Sequence, residues 1–301
     1  MKKVLHTQHS DSSHWVGDGF LVRTLFGYND LAKEISPFLL MDYAGPVEFP
    51  PSNSSRRRGV DSHPHRGFET VTIVYDGEVE HRDSAGGGGV ISDGDVQWMT
   101  AASGLVHEEK HGKNFSQNGG RFEMVQLWVN LPKKDKMTTP RYQGLKKASI
   151  PKVDLPENSG TLRVIAGKYQ GHVGAAQTFS AINLWDIRLN IGSTTEFKVP
   201  TGHTAVVFVL DGELKVSTTH NLGPAELAVL DPQGDTFTLT AQKDTKLLFL
   251  GGEPLNEPIV GYGPFVMNTK KEIMQAIHDF EEGQMGVINE IEGTEYVLQK
   301  K

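Results

Sequence analysis

An all-β fold of two similar domains is predicted by three observations. The chain carries 33 glycines and 15 prolines, and these punctuate short runs rich in Val, Ile, Phe and Leu, the pattern of many short strands. Residues 69–78, ETVTIVYDGE, recur as residues 204–213, TAVVFVLDGE, in each case an apolar strand running into an Asp-Gly hairpin turn. Its length of 301 residues is ample for two sandwiches, each with a core of its own.

Along the chain, the first fifteen residues are charged and lack the apolar segment of a secretory signal. No later run reaches membrane-spanning length, so a cytoplasmic protein without membrane association is expected. Arg56-Arg57-Arg58 lies in a Ser-rich surface loop. The strand over 69–76 turns at Asp76-Gly77, the four glycines 86–89 read as a flexible loop, and residues 92–99 form a second strand. No Lys or helical pattern follows those glycines, which excludes a phosphate cradle. The second copy repeats this arrangement, with Val206, Phe208 and Leu210 expected in its own sandwich core. These signals give a first domain over 1–135, a linker over 136–156 in a Lys- and Pro-rich stretch, a second domain over 157–286 and a tail over 287–301. Near the end, Thr269 and Glu272 form a capping box, Ile273, Ile277 and Phe280 share a face, and Gly283 supplies a stop. A short helix packed across a sheet is expected there.

Composition narrows the chemistry. A net charge of -7 argues against general affinity for nucleic acid. The absence of cysteine excludes disulfides, thiolate metal sites and thiol nucleophiles, leaving imidazole, carboxylate and hydroxyl. His63 and His65 are two residues apart, as are His107 and Glu109, and on a strand each pair shares a face. Two such strands build a four-ligand site for one ion. Glu69 is a rival fourth ligand by its spacing from His65, and His111 has the parity to point inward. Aligning Gly77 with Gly212 sets Lys198 and Pro200 opposite His63 and His65, with Thr238 near His107, so the second copy is expected to bind no metal.

The segments HPHRGFETVT over 63–72, QWMTA over 97–101, Ser103-Gly104 and His107-x-Glu109 resemble the pirin family of the bicupin superfamily. The likeness extends from GFLVR at 19–23 and PFLLMD at 37–42 to GPFVMN at 263–268 and GQMG at 283–286. It implies two tandem cupin barrels and one mononuclear divalent metal, iron by preference, with Ni, Mn, Cu, Co or Zn compatible. The implied ligands are His63, His65, His107 and Glu109, and this favours Glu109 over Glu69. It also implies an oxidoreductase, a dioxygenase opening a flavonol such as quercetin with O₂. In that reaction Glu109 would tune the metal's charge and act as base, and Phe68, Trp98 and Met99 would be an apolar wall or plain core. The resemblance leaves a second reading, a metal-containing module that binds a protein partner through Arg23, Arg56, Arg57 and Arg58. A monomer is expected in either case.

Overall fold

The computed structural model describes residues 1–217 and 220–288. From residue 289 on, the tail expected over 287–301 lies outside the described residues. Each half is a sandwich of one seven-stranded and one four-stranded antiparallel sheet. In the first half the large sheet runs Arg141–Leu145, Val96–Thr100, Phe68–Asp76, Gly120–Asn130, Phe38–Phe49, Phe20–Phe26 and His14–Val16. Its small sheet is Gly59–His65, Leu105–His111, Glu78–Asp83 and Gly88–Ser92. The second half repeats the plan around Thr204–Asp211, Thr245–Gly252 and Ile182–Leu189. The stretch expected as a linker is built into both large sheets, giving Arg141–Leu145 to the edge of one and Lys152–Asp154 to the edge of the other. Lys- and Pro-rich segments suit sheet edges, where no neighbour requires every backbone donor.

The two large sheets are buried on both faces. On one face Val71, Ile73, Val125 and Leu127 join Val206, Phe208, Leu210 and Leu250 in a single cluster between the halves. On the other, Ala205, Val207 and Val209 fill the second barrel. Val206, Phe208 and Leu210 therefore face the first domain, and not the core of their own domain that the alternation predicts. A strand buried on both faces reads as a continuous apolar run, so alternation could not say which side was which. Polar contacts close this interface: Glu123 accepts from the Tyr43 hydroxyl at 2.8 Å and from Lys246 Nζ at 2.5 Å.

The chain ends cross between the halves. Val4–His9 is the edge strand of the second large sheet, paired with Glu226–Leu230, and Lys2 Nζ donates to the carbonyls of Asp231 and Pro232 at 3.1 and 3.0 Å. In the opposite sense, the hairpin Val260–Tyr262/Phe265–Met267 and the helix Lys270–Glu281 return to the first half. Thr269 caps that helix by accepting from the Glu272 amide. Ile273 and Ala276 pack with Val106, Phe265, Met267 and Met285, while Phe280 stays 39% exposed at the rim. The helix thus closes the end of the first barrel rather than crossing a sheet of the second. Two buried basic side chains lock it there: Arg66 donates to Asp279 at 2.7 Å, and Lys136 Nζ reaches the carbonyls of Gly67 and Val266 and Asn130 Oδ1.

This crossing makes a direct prediction. Deleting residues 1–9 should raise amide exchange in Glu226–Leu230, which loses an edge partner, and leave exchange in Leu105–His111 unchanged. Hydrogen–deuterium exchange read by mass spectrometry checks it, and unaltered protection of Glu226–Leu230 would contradict it.

Candidate metal centre

The small sheet of the first half carries the site. Gly59–His65 and Glu78–Asp83 flank Leu105–His111, with His107 opposite His63 on one side and opposite Asp83 on the other. Alternation along these strands sorts the side chains. The outward positions form ion pairs, Arg82 with Glu108 and Lys110 with Asp61, whereas His65, His81, Asp83, His107 and Glu109 are turned in and buried. The register shift between His107 and Glu109 against the first strand sets Glu109 across from Val60.

Three imidazoles meet at the mouth, with ring centres 4.3 Å apart for His63 and His107 and 4.8 Å apart for the other two pairs. Their hydrogen bonds fix which nitrogen faces inward. His63 Nδ1 donates to the Asp61 carbonyl at 2.8 Å, and His65 Nδ1 donates to the Pro264 carbonyl at 3.3 Å. His107 Nδ1 lies 3.3 Å from His81 Nδ1, while its Nε2 is buried without any hydrogen-bond partner. A ligating histidine has this arrangement, one nitrogen anchored and the other bare. Burial, followed by the nearby His63, holds both His65 and His107 well below the ordinary histidine range, so their inward nitrogens carry lone pairs at neutral pH. The ring nitrogens of His63, His65 and His107 lie within 4.8 Å of one another, and those of His81 and His107 within the same distance of a Glu109 oxygen. A buried nitrogen that lacks any partner, beside a buried carboxylate, fits a divalent cation.

Glu109 is 5% exposed, with Gln97 Nε2 3.3 Å from Oε1 and Gln126 Nε2 3.5 Å from Oε2. It lines a cavity of about 210 Å³ together with His63, His65, Asp42 and an apolar wall of Phe20, Val22, Val60, Met124 and Trp128. Trp128 stacks on Phe68 at 4.2 Å and meets His65 edge-on at 5.2 Å. Trp98 faces the interdomain core, and Met99 packs with Leu105. Of the three expected wall residues, only Phe68 adjoins the site, behind Trp128.

Glu69 points elsewhere. Its strand begins after the Arg66-Gly67 turn, so the parity it shares in sequence with His65 is broken, and its carboxylate accepts from Thr100 at 2.7 Å. His111 is inward but sits at the far end of the barrel, bonded to the Gly19 carbonyl among Phe49, Phe115 and Phe122. Arg57 is paired in fork geometry with Glu80, Arg58 lies over Phe49 and Arg23 over Tyr43. In the second barrel the interior is filled by stacked aromatics, Trp185 on Phe249 and Phe237 between Phe197 and Phe249. Sequence reasoning missed His81, Asp83, Gln97, Gln126 and Trp128. The strict alternation of Val79, His81 and Asp83 was the available signal for two of them.

Two face-packed cupin barrels with a histidine-rich mouth in the first define a bicupin. Residues 19–129 match the family described as Pirin, and residues 184–286 match the Pirin C-terminal cupin domain. The chain belongs to the pirin family. It is 57% identical over 284 residues to a Pseudomonas aeruginosa protein named "Putative quercetin 2,3-dioxygenase", covering 94% of this chain and 98% of that one. It is 37% identical over 278 residues to Pirin of Rattus norvegicus, covering 90% and 89% of the two chains. The crystal structure of quercetin 2,3-dioxygenase from Acinetobacter baumannii superposes with a TM-score of 0.92 at 55% identity, covering 95% and 99%.

The two glutamates should separate in experiment. Burial, opposed by the Thr100 hydrogen bond, lifts Glu69 to about 7 from 4.5. A carboxyl raised on folding stabilises the fold fully below 4.5, and that contribution is lost as pH rises through about 7. Urea denaturation should therefore show wild type losing on the order of 3 kcal/mol across this window relative to Glu69→Gln. Chelator competition should find metal affinity unchanged in Glu69→Gln and about 10-fold weaker in Glu109→Gln. The reverse order would move the fourth ligand to Glu69.

Proposed function

We propose that the first barrel is the active site of a metal-dependent dioxygenase that opens a flavonol ring with O₂ and releases one ring carbon as carbon monoxide. The observation that carries this reading is the cluster of His63, His65 and His107 nitrogens, with a Glu109 oxygen close to His107, where His63, His65 and Glu109 open onto a cavity walled by aromatic and aliphatic side chains. The names of the Pseudomonas and Acinetobacter relatives support the same chemistry. His63, His65, His107 and Glu109 would hold one divalent ion, iron by preference. When bound, that ion supplies Lewis acidity toward a substrate hydroxyl and redox chemistry toward O₂.

The chain's own residues supply the remainder. Trp128, Phe20 and Met124 offer a flat apolar surface against which a planar aromatic ring can lie. Glu109, a carboxylate close to His107 that opens onto the cavity, takes the proton of the substrate's hydroxyl at Oε2, the oxygen with the longer hydrogen bond. Asp42, which faces the same cavity and accepts from Thr24 at 2.5 Å, offers a second polar contact for a substrate hydroxyl. The second barrel, packed solid with aromatics, serves as the folding partner that buries the back of the first large sheet.

Iron-loaded protein should consume O₂ and form carbon monoxide in equal amounts as it bleaches quercetin. Metal-free protein should not exceed the autoxidation rate. His107→Ala should lose metal and turnover together, whereas Glu109→Gln should keep part of its metal and lose rate by 10²–10⁴-fold. Equal bleaching with and without metal, or bleaching without carbon monoxide, would contradict this function.

A further inference from the structure

We propose that Asp83 and His81 form a hydrogen-bonded relay that sets the tautomer of His107 and so aims its Nε2 lone pair into the metal position. The inference rests on the reading of His107 as a ligand, and nothing in the flavonol chemistry requires it. His81, fully buried, and Asp83 sit on the strand beside His107, where the register pairs Asp83 with His107 and His81 with Glu109. A buried histidine at such a place is often no more than a satisfied core residue. Here both ends of the chain force one direction of proton donation.

From one end, Asp83 can only accept. Its Oδ1 takes the backbone amides of Ala85 and Gly87, each at 2.9 Å, and Oδ2 is left for His81 Nε2 at 3.1 Å. His81 therefore carries its proton on Nε2 and a lone pair on Nδ1. From the other end, Glu109 is also an acceptor, so the Gln97 amide must turn Nε2 toward it. That same Nε2 lies 3.1 Å from His81 Nδ1, which again must accept. Flipping the amide would set Oε1 against the carboxylate, and the observed orientation leaves Oε1 buried without a partner instead. With a lone pair on His81 Nδ1, the His107 Nδ1 3.3 Å away must hold the proton, and Nε2 is bare.

The surroundings fix this geometry. Tyr142 stacks on the His81 ring at 5.1 Å and 18°. A Cβ on Gly87 would stand 2.4 Å from the Asp83 carboxylate, so the glycine run expected to be a flexible loop is what lets the backbone amide reach it. Although His81, His107 and Glu109 are spaced closely enough for an ion of their own, His81 already uses both ring nitrogens in hydrogen bonds, which favours a relay over a second metal.

Asp83→Asn tests the relay because its amide oxygen can keep the Ala85 and Gly87 bonds. Its nitrogen then stands where Oδ2 was and donates to His81 Nε2. D83N is made in a Gln97→Leu background, which removes the amide donor facing His81 Nδ1, so the His81 proton moves to Nδ1 and that of His107 to Nε2. Long-range ¹H–¹⁵N correlation on metal-free protein should show His107 as the Nδ1–H tautomer in wild type and as Nε2–H in D83N. Chelator competition with Zn²⁺ should find D83N weaker by 10–100-fold. Adding H81N to D83N supplies an amide oxygen that accepts from His107 regardless of residue 83, and should restore tautomer and most of the affinity. An Asp83 that merely anchors its turn would lower the melting temperature and leave the tautomer unchanged. That result, or an Nε2–H tautomer in wild type, overturns the relay. If D83N fails to fold, the wild-type tautomer decides. Wild type with the expected tautomer but no Zn²⁺ affinity would sink the ligand reading alone.

Discussion

The site depends on one constraint: three histidines in a closed barrel mouth must each find an acceptor for Nδ1–H, and those acceptors come from three separate parts of the chain. Asp61 provides one carbonyl from the same strand, Pro264 another from the returning C-terminal hairpin, and His81 the third from the neighbouring strand. An unsatisfied buried donor costs roughly 1–3 kcal/mol, so the acceptors hold the buried rings of His65 and His107 in one orientation. What is left over is a set of inward nitrogens, of which that of His107 has no protein partner at all. The barrel tolerates that deficit in the place where a cation would remove it.

The same constraint gives the crossed chain ends a purpose. The Pro264 carbonyl reaches His65 only because the hairpin and helix leave the second half and dock on the first, where Arg66, Asp279 and Lys136 secure them. The second half, whose described residues form no comparable histidine cluster, is joined to the first across both large sheets and by its borrowed N-terminal strand. The candidate metal site is thus tied to the C-terminal crossing, and a change that loosens that hairpin would be felt at His65.

Much of this was legible in the sequence, for identifiable reasons. The repeat with its Asp-Gly turns gave two barrels, and the i, i+2 spacing of His63 with His65 and of His107 with Glu109 gave a shared face, because strand geometry has a period of two. The Thr269 capping box gave the helix to within a residue. Parity failed where a turn reset it: Glu69 follows Gly67, whose φ of 91° breaks the count from His65. Alternation was mute in strands buried on both faces, which is why Val206, Phe208 and Leu210 were assigned to the wrong core and Trp128 and Gln126 were missed. The crossings of the chain ends were invisible, since no local pattern encodes which of two similar sheets an edge strand or a helix will join.

Anomalous diffraction from crystals of the iron-loaded protein, collected above and below the iron edge, tests the central claim most directly. The account predicts one peak per chain within coordination distance of His63 Nε2, His65 Nε2, His107 Nε2 and a Glu109 oxygen, and none inside the second barrel. A peak ligated through Glu69, or one among the side chains of residues 157–285, would contradict it.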